Sequence, residues 1–479
     1  TNRSFLGGLI HRGMRKTLLA TCSGVIITDL HGDSNVGEII PNGELNANVF
    51  DITQGVAISV FTRNSDLPLA PTVVHTDIWG SRAQKCEALE GATKAAAYLT
   101  ASDPYYFFTP KDLAWQSEQV GWLSIDKLFL VGGMGVKSRR DHFLIDMNRE
   151  ALHRRFRSLT LSRNIEATRA TLGVTDNEQW TLESMRDLVE KVGVDMGIRP
   201  ILYRPFDTRF IWYHREAIER GDSRWPVMKN VLPDRLSLLT SRQSVNGEFT
   251  SVFVARGLSE MKAAESTRGS YVFPLALATD GSDLAAKLGD DSNLRVDARL
   301  SDFRGAGPTE IVNYIYAVLH SPAYRARYAG ALCIEFPKVP AACARVLLDK
   351  LTRLGGELVA LHLLESPKLA HPITEFMGSP RPIVEKVSWS RDTVWVDKVQ
   401  TTGFQGVPEN VWNFHIGGYK VCEKWLKDRK GRTLSDDDIA HYQKIVVALS
   451  ETIRLMAEID RVIDAHGGWP AAFQTTTTP

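Results

Sequence analysis

Three clusters of basic residues in this chain could hold an anionic polymer. Lys137, Ser138, Arg139 and Arg140 follow directly on Gly132, Gly133 and Gly135, where a backbone without side chains can approach a phosphate closely. Arg149, Arg154, Arg155, Arg157 and Arg163 follow on a predicted helix, with only Glu150 against them. Lys424, Lys427, Arg429, Lys430 and Arg432 form the third cluster, interrupted by Asp428. DNA recognition needs such cations and backbone donors for phosphates, together with polar side chains aimed at base edges. Along Ile201–Tyr213, Arg204 and Arg209 alternate with Phe206, Phe210 and Trp212, so one set should face a core and only the other could reach DNA. Any one patch taken alone reads equally well as a solvated face. The formal net charge is only +1, so the case for nucleic acid rests on local patches and not on the total.

Other chemistry is poorly supported. Val131-Gly132-Gly133-Met134-Gly135-Val136-Lys137-Ser138 approaches a phosphate-binding loop, but Val136 stands where glycine must precede the lysine. No H-E-x-x-H or G-x-S-x-G occurs, and Asp397-Lys398 lacks the D-x-K spacing of a common nuclease core. His11, His31, His75 and His320 are isolated along the chain and are expected to be satisfied structural groups. The five cysteines (Cys22, Cys86, Cys333, Cys343, Cys422) include no C-x-x-C pair, so neither a metal nor a disulfide framework is predicted.

The elements that would position these residues follow from periodicity. Arg12–Thr21 reads as a helix, Val25–Leu30 and Val56–Phe61 as strands, and the loop His31–Asn48 between them is long enough to be functional or an exposed insertion. Leu67–Pro71 reads as a break before the alternating segment Thr72–Trp79. Pro104, Pro110 and the glycine cluster mark the passage to a second domain. Strands are predicted over Ile201–Tyr213, broken at Arg204-Pro205, and at Ser251–Ala255 and Tyr271–Leu277. Thr309 could cap a helix running to His320, and Ser321-Pro322 starts another. After the capping box Ser435-x-x-Asp438, apolar residues from Ile439 to Ile463 recur at three- and four-residue spacing, predicting one long amphipathic helix. The longest apolar runs fall well short of the roughly 20 residues a membrane span needs, and no charged-then-apolar leader opens the chain. A cytoplasmic protein with no membrane partner is expected. Thr1 opens directly on a patterned apolar segment, so the start is expected to lie inside a domain.

Several strings resemble the single-chain type ISP restriction–modification enzymes. They are Thr1-Asn2-Arg3-Ser4-Phe5-Leu6, His11-Arg12-Gly13-Met14-Arg15, Asp29-Leu30-His31-Gly32, Asn48-Val49-Phe50-Asp51-Ile52 and Gly55-Val56-Ala57-Ile58. Asp77-Ile78-Trp79-Gly80-Ser81-Arg82, Arg204-Pro205-Phe206-Asp207, Tyr271-Val272-Phe273-Pro274-Leu275 and Tyr316-Ala317-Val318-Leu319-His320-Ser321-Pro322 continue in family order. The most specific is Ile416-Gly417-Gly418-Tyr419 followed by Lys424-Trp425-Leu426-Lys427-Asp428-Arg429.

The resemblance implies an α/β fold: the remainder of a Rossmann-like methyltransferase sheet over residues 1–98, then a mixed α/β target-recognition domain over 99–470 with a long C-terminal helix, and a disordered tail over 471–479. It implies the end of a gamma-class adenine N6 DNA methyltransferase, with double-stranded DNA as partner and methyltransferase and nuclease–helicase portions upstream. S-adenosylmethionine would be the cofactor of that parent enzyme. Its glycine-rich turn and the N/D-P-P-Y/F loop are not in this sequence; Asp103-Pro104-Tyr105-Tyr106 lacks the second proline and is expected to be structural. The alternative is a non-catalytic specificity protein that recruits separate subunits.

Overall fold

In the computed structural model, residues 1–34, 46–64, 66, 72–91, 96–232, 234–244, 248–278, 292–295, 303, 305–341 and 343–474 are described. Most of the loop His31–Asn48, all of Leu67–Pro71 and the tail Thr475–Pro479 therefore lie outside the described residues. The chain forms two compact units, Thr1–Leu113 and Ala114–Pro479.

The first unit is a small sheet covered by a helix. It contains α1 (Arg12–Thr21), β1 (Gly24–His31), β2 (Val56–Thr62), β3 (Val73–Asp77), α2 (Arg82–Glu90) and β4 (Ala97–Leu99). The strand order is β2-β1-β3-β4, with β1 and β3 parallel and the other pairs antiparallel. Alternation along β1 sends Val25 and Ile27 inward, where they meet Leu6, Leu19, Ala57, Val73 and Phe108. The opposite sheet face leaves Ile26, Ile58 and Val60 nearly half exposed.

The unit extends past Tyr98, the boundary expected from sequence, because Arg15 reaches forward. Its fully buried guanidinium donates to the carbonyls of Phe5 and Gly8 at 2.6 and 2.8 Å and of Tyr105 and Tyr106 at 2.6 and 2.8 Å. Asp103-Pro104-Tyr105-Tyr106 thus serves as an anchor for α1. Burial pushes the Arg15 pKa down to about 10, and no carboxylate accompanies it among these contacts.

The second unit is a mixed α/β body. In chain order it contains β5 (Gly133–Met134), β6 (Ile145–Asp146), α3 (Arg149–Thr160), α4 (Leu182–Val192), β7 (Ile198–Arg204), β8 (Asp207–Trp212), α5 (Gly221–Val231), β9 (Leu236–Thr240), β10 (Val252–Arg256), β11 (Leu258–Ser259) and β12 (Tyr271–Pro274). It continues with α6 (Pro308–His320), α7 (Pro322–Arg327), α8 (Arg345–His362), β13 (Glu375–Met377), β14 (Ser388–Ser390), β15 (Thr393–Trp395), β16 (Gly403–Gln405), α9 (Val421–Lys427) and α10 (Asp436–Asp464). Three four-stranded sheets result, in the orders β10-β9-β12-β5, β11-β7-β8-β6 and β13-β16-β15-β14.

Local chemistry sets the helix ends. Ser435 accepts from the Asp438 N–H at 3.1 Å, and three aspartates fill the first turn of α10, where the helix dipole favours them. Ser321 caps α7. Thr309 lies inside α6 instead of capping it, because Pro308 already occupies the first turn and Gly307 stands at the cap. A Cβ at Gly355 of α8 would sit 1.8 Å from the Asn313 carbonyl of α6, so this glycine permits the two helices to touch. The inward face of α10 buries Ile439, Tyr442, Ile445, Val446, Leu449, Leu455, Ile459 and Ile463 against α6 and α8. The tail begins later than residue 471: Ala471–Phe473 form a short helical turn, and Phe473 is buried with its ring 4.3 Å from that of Trp469. Among the described residues, no helix is long and apolar enough to cross a membrane.

Candidate functional site

Of the glycines before the first basic patch, Gly135 is buried, Gly133 partly buried and Gly132 exposed. A Cβ at Gly132 would strike the Phe273 ring at 2.4 Å, and one at Gly135 would meet the Ser259 carbonyl at 2.7 Å. Gly132 and Gly135 therefore admit close neighbours from within the protein. Beyond them the patch divides. Ser138 is buried, bonded to Asp141 and to the Arg140 N–H. Lys137 and Arg139 both pair with Glu219, at 3.2 and 2.6 Å, with Arg139 in a left-handed conformation and more than half exposed. Arg140 lies 3.8 Å over the Trp180 ring and donates to the Thr175 carbonyl at 2.9 Å. Arg139, Arg140 and Trp180 line a groove of about 550 Å³ together with Gln179, Glu216 and Arg220.

Helix α3 begins where Asn148 accepts from the Ala151 N–H, and it buries Leu152, Phe156 and Leu159. That spacing fixes which arginines turn outward. Arg154 and Arg157 are exposed, and among the described residues no carboxylate pairs with either. Arg155 turns inward to Asp146 at 2.5 Å and to the Phe143 carbonyl at 2.9 Å.

The hairpin β7–β8 and the C-terminal patch form one network. Phe206, in a left-handed conformation, makes the turn that places Arg204 and Asp207 as a strand pair. Arg204 pairs with the buried Glu260 at 2.6 Å and stacks on Tyr203. Burial pushes the Glu260 carboxyl up even beside that guanidinium, and it also raises the Tyr203 hydroxyl. Arg209 meets Asp207 and Asp428 at 2.8 and 2.9 Å. Arg429, itself buried, reaches the other oxygen of Asp207 at 2.9 Å while lying 3.4 Å over the Trp425 ring. Lys424 closes on Asp428 at 2.5 Å, and Lys427 pairs with Glu423 at 2.9 Å. Lys430 and Arg432 stay exposed.

Arg204, Arg209 and Arg429 are thus each paired with internal carboxylates. The string Ile416–Tyr419 supports this network from behind. A Cβ at Gly417 would lie 1.9 Å from the Ala264 carbonyl, and the Tyr419 hydroxyl donates to the Lys262 carbonyl at 3.0 Å. Beside the network, a polar groove of about 530 Å³ runs between Asn148, Thr208, Arg432, Thr433 and Asp437. Sequence reasoning did not foresee the groove, since its walls come from three separate segments. The exposed cations nearest in kind to a phosphate surface are accordingly Arg154, Arg157, Lys430, Arg432 and, partly paired, Arg139 and Lys427.

The histidines do not behave alike. His320 is buried on α6, its Nδ1 at 2.7 Å from the Tyr316 carbonyl. His31 and His75, far apart in sequence, come together at the ends of β1 and β3 and so are not isolated. All five cysteines are free; Cys343 and Cys422 are buried and Cys86 is exposed.

Solved structures that share this fold include three of restriction–modification type or bound to DNA. The ATP-dependent type ISP restriction–modification enzyme LlaBIII bound to DNA matches with a TM-score of 0.70 and 20% identity, over 96% of this chain and 32% of its own. A nuclease-deletion mutant of the type ISP restriction–modification enzyme LlaGI, in complex with a DNA substrate mimic, matches with a TM-score of 0.64 and 18% identity, over 96% of this chain and 45% of its own. The DrdV–DNA complex matches with a TM-score of 0.69 and 18% identity, over 95% and 50%. This chain therefore spans a third to a half of the length of those proteins. Comparison with curated proteins finds no match. The family model for the type ISP C-terminal specificity domain covers residues 127–458, more than two thirds of the sequence, and the chain belongs to that family.

Proposed function

We propose that this chain recognises a site on double-stranded DNA for a site-specific adenine N6 DNA methyltransferase of a restriction–modification system acting in phage defence. Membership of the type ISP specificity family carries this reading. The three similar structures, each a complex with DNA or a DNA mimic, support it. In this reading the first unit completes a Rossmann-like methyltransferase sheet. Its parallel β1–β3 pair, the additional backbone pairing of Thr1–Arg3 with Gly55–Ala57 beside β2, and the half-exposed Ile26, Ile58 and Val60 are what a larger sheet would cover. S-adenosylmethionine would bind in the portion of the parent enzyme that carries the glycine-rich turn, with nuclease and helicase portions further upstream. The second unit would grip the duplex around an extruded adenine.

Phosphate contacts would fall to exposed cations, chiefly Arg154 and Arg157. Each neutralised phosphate contributes about −0.9 to the slope of log affinity against log salt. Changing both arginines to alanine should weaken binding to every duplex and flatten that slope by roughly two units if each holds one phosphate. Titration by fluorescence anisotropy at several salt concentrations measures it. An unchanged slope with a folded double variant removes α3 from the interface; no binding of the unaltered chain to any duplex rejects the reading.

A further inference from the structure

We infer that the C-terminal ends of β1 and β3 form a binding site for a divalent transition-metal ion of the zinc class, with Asp29, His31 and Asp77 as its ligands and His75 joining them from beside Asp77. The sequence builds the site from two mirrored tripeptides, Asp29-Leu30-His31 ending β1 and His75-Thr76-Asp77 ending β3. Residues two apart on a strand share a face, and the parallel register sets Asp29 beside Asp77 and Ile27 beside His75. Both tripeptides therefore present their polar side chains at one sheet edge. Ligand atoms of Asp29, His31 and Asp77 all lie within 4.8 Å of one another. His75 Nδ1 is 3.6 Å from Asp77 Oδ2. This span exceeds a hydrogen bond, whereas ligand bonds of about 2.0–2.2 Å around a tetrahedral ion set neighbouring ligand atoms roughly 3.3–3.6 Å apart.

His75 supplies the independent observation. It is 1% exposed, and neither ring nitrogen has a hydrogen-bond partner. Buried polar groups are almost always satisfied, and an ion held with Asp77 would satisfy this one.

The surroundings orient the other ligands. Arg3 donates to Asp29 Oδ2 at 3.1 and 2.7 Å, and the His31 N–H donates to Oδ1 at 3.0 Å. A carboxylate oxygen accepts more than once, so these bonds fix the carboxylate and still leave Oδ1 able to ligate. Arg3 offsets the charge of Asp29 and so tempers the affinity. His31 Nε2 sits 2.7 Å from Asp77 Oδ1, so this nitrogen faces the carboxylate, and an ion entering between them would replace that hydrogen bond. The His31 ring stacks on Trp79 at 3.5 Å and its backbone is left-handed, both of which hold it at the edge. Mixed imidazole and carboxylate donors favour zinc, cobalt or manganese over calcium or magnesium.

Co²⁺ is the probe. Titrated into the full chain, it should give visible d–d bands that saturate at one equivalent and are bleached by Zn²⁺, and Zn²⁺ should raise the melting temperature. His75→Gln and Asp77→Asn should each abolish the bands, while His11→Gln, at a histidine elsewhere in the unit, retains them. Absence of saturable bands in the unaltered chain overturns the site, as does their persistence in both His75→Gln and Asp77→Asn.

Discussion

Helix α3 and the hairpin β7–β8 each carry arginines that the sequence offers equally to a phosphate surface, and the fold sends them in opposite directions. On α3, a stripe of Leu152, Phe156 and Leu159 claims one face, so Arg154 and Arg157 must point to water. On the hairpin, the two arginines lie beneath neighbouring segments. Arg204 and Arg209 lie at most 14% exposed, over Tyr203, and are met by carboxylates from distant segments. A guanidinium taken out of water demands a partner, whereas one left in water needs none. The positions of the apolar neighbours therefore separate structural cations from available ones, and the charge itself does not.

The sharpest way to break this comparison is to remove Asp207, which Arg209 and Arg429 share. Asp207→Ala leaves buried Arg429 with only the longer 3.6 Å contact to Asp438 and should destabilise the second unit by about 3 kcal/mol in urea unfolding. The double change of Arg154 and Arg157 to alanine should stay within about 0.5 kcal/mol in the same assay. Similar losses for the two would erase the distinction.

Arg15 tests whether an inward cation needs a carboxylate at all, since its contacts are carbonyls. Arg15→Met strands buried oxygens of Phe5, Gly8, Tyr105 and Tyr106 and should cost the first unit about 3 kcal/mol or more. Arg15→Lys should recover only part of this, because an ammonium cannot reproduce the planar fork. Full rescue by lysine would show that charge, and not the donor geometry, holds Tyr105 and Tyr106 to α1.

The last test concerns an inward base that stays neutral. His362 is buried between the Tyr316 hydroxyl and Thr452, and burial pushes its pKa down to about 3. Unfolded chain takes up the proton near pH 6.5 while the folded chain does not, so stability should fall as pH drops below about 6.5 and level off near 3. The expected slope is about 1.4 kcal/mol per pH unit from this residue, and His362→Gln should remove it. An identical pH dependence in the variant would place the proton uptake elsewhere.

Periodicity and capping chemistry made α1, β1, β2, β3 and α10 legible, because each depends on neighbours a few residues away. The capping box at Ser435 and the apolar stripe that follows it illustrate how much such local information can fix. The basic clusters were legible as compositions too. Their destinations were not. Arg209 and Asp428 are 219 residues apart, and Arg429 and Asp207 222, so no window of sequence contains both members of either pair. The glycines before Lys137 read as an opening for phosphate, yet Phe273 and Ser259 fill the space beside Gly132 and Gly135.

The first unit repeats the lesson. The sequence by itself determined α1, β1, β2 and β3, and through the ordered strings the family the chain resembles. Only the tertiary structure decided that β1 and β3 lie in parallel register, that Arg15 draws Tyr105 and Tyr106 into the first unit, and which arginines remain in water. Hydrogen bonding along the chain is short-ranged and writes itself into local patterns. Burial is a property of the whole packed body, and it alone sets which charged groups must find partners.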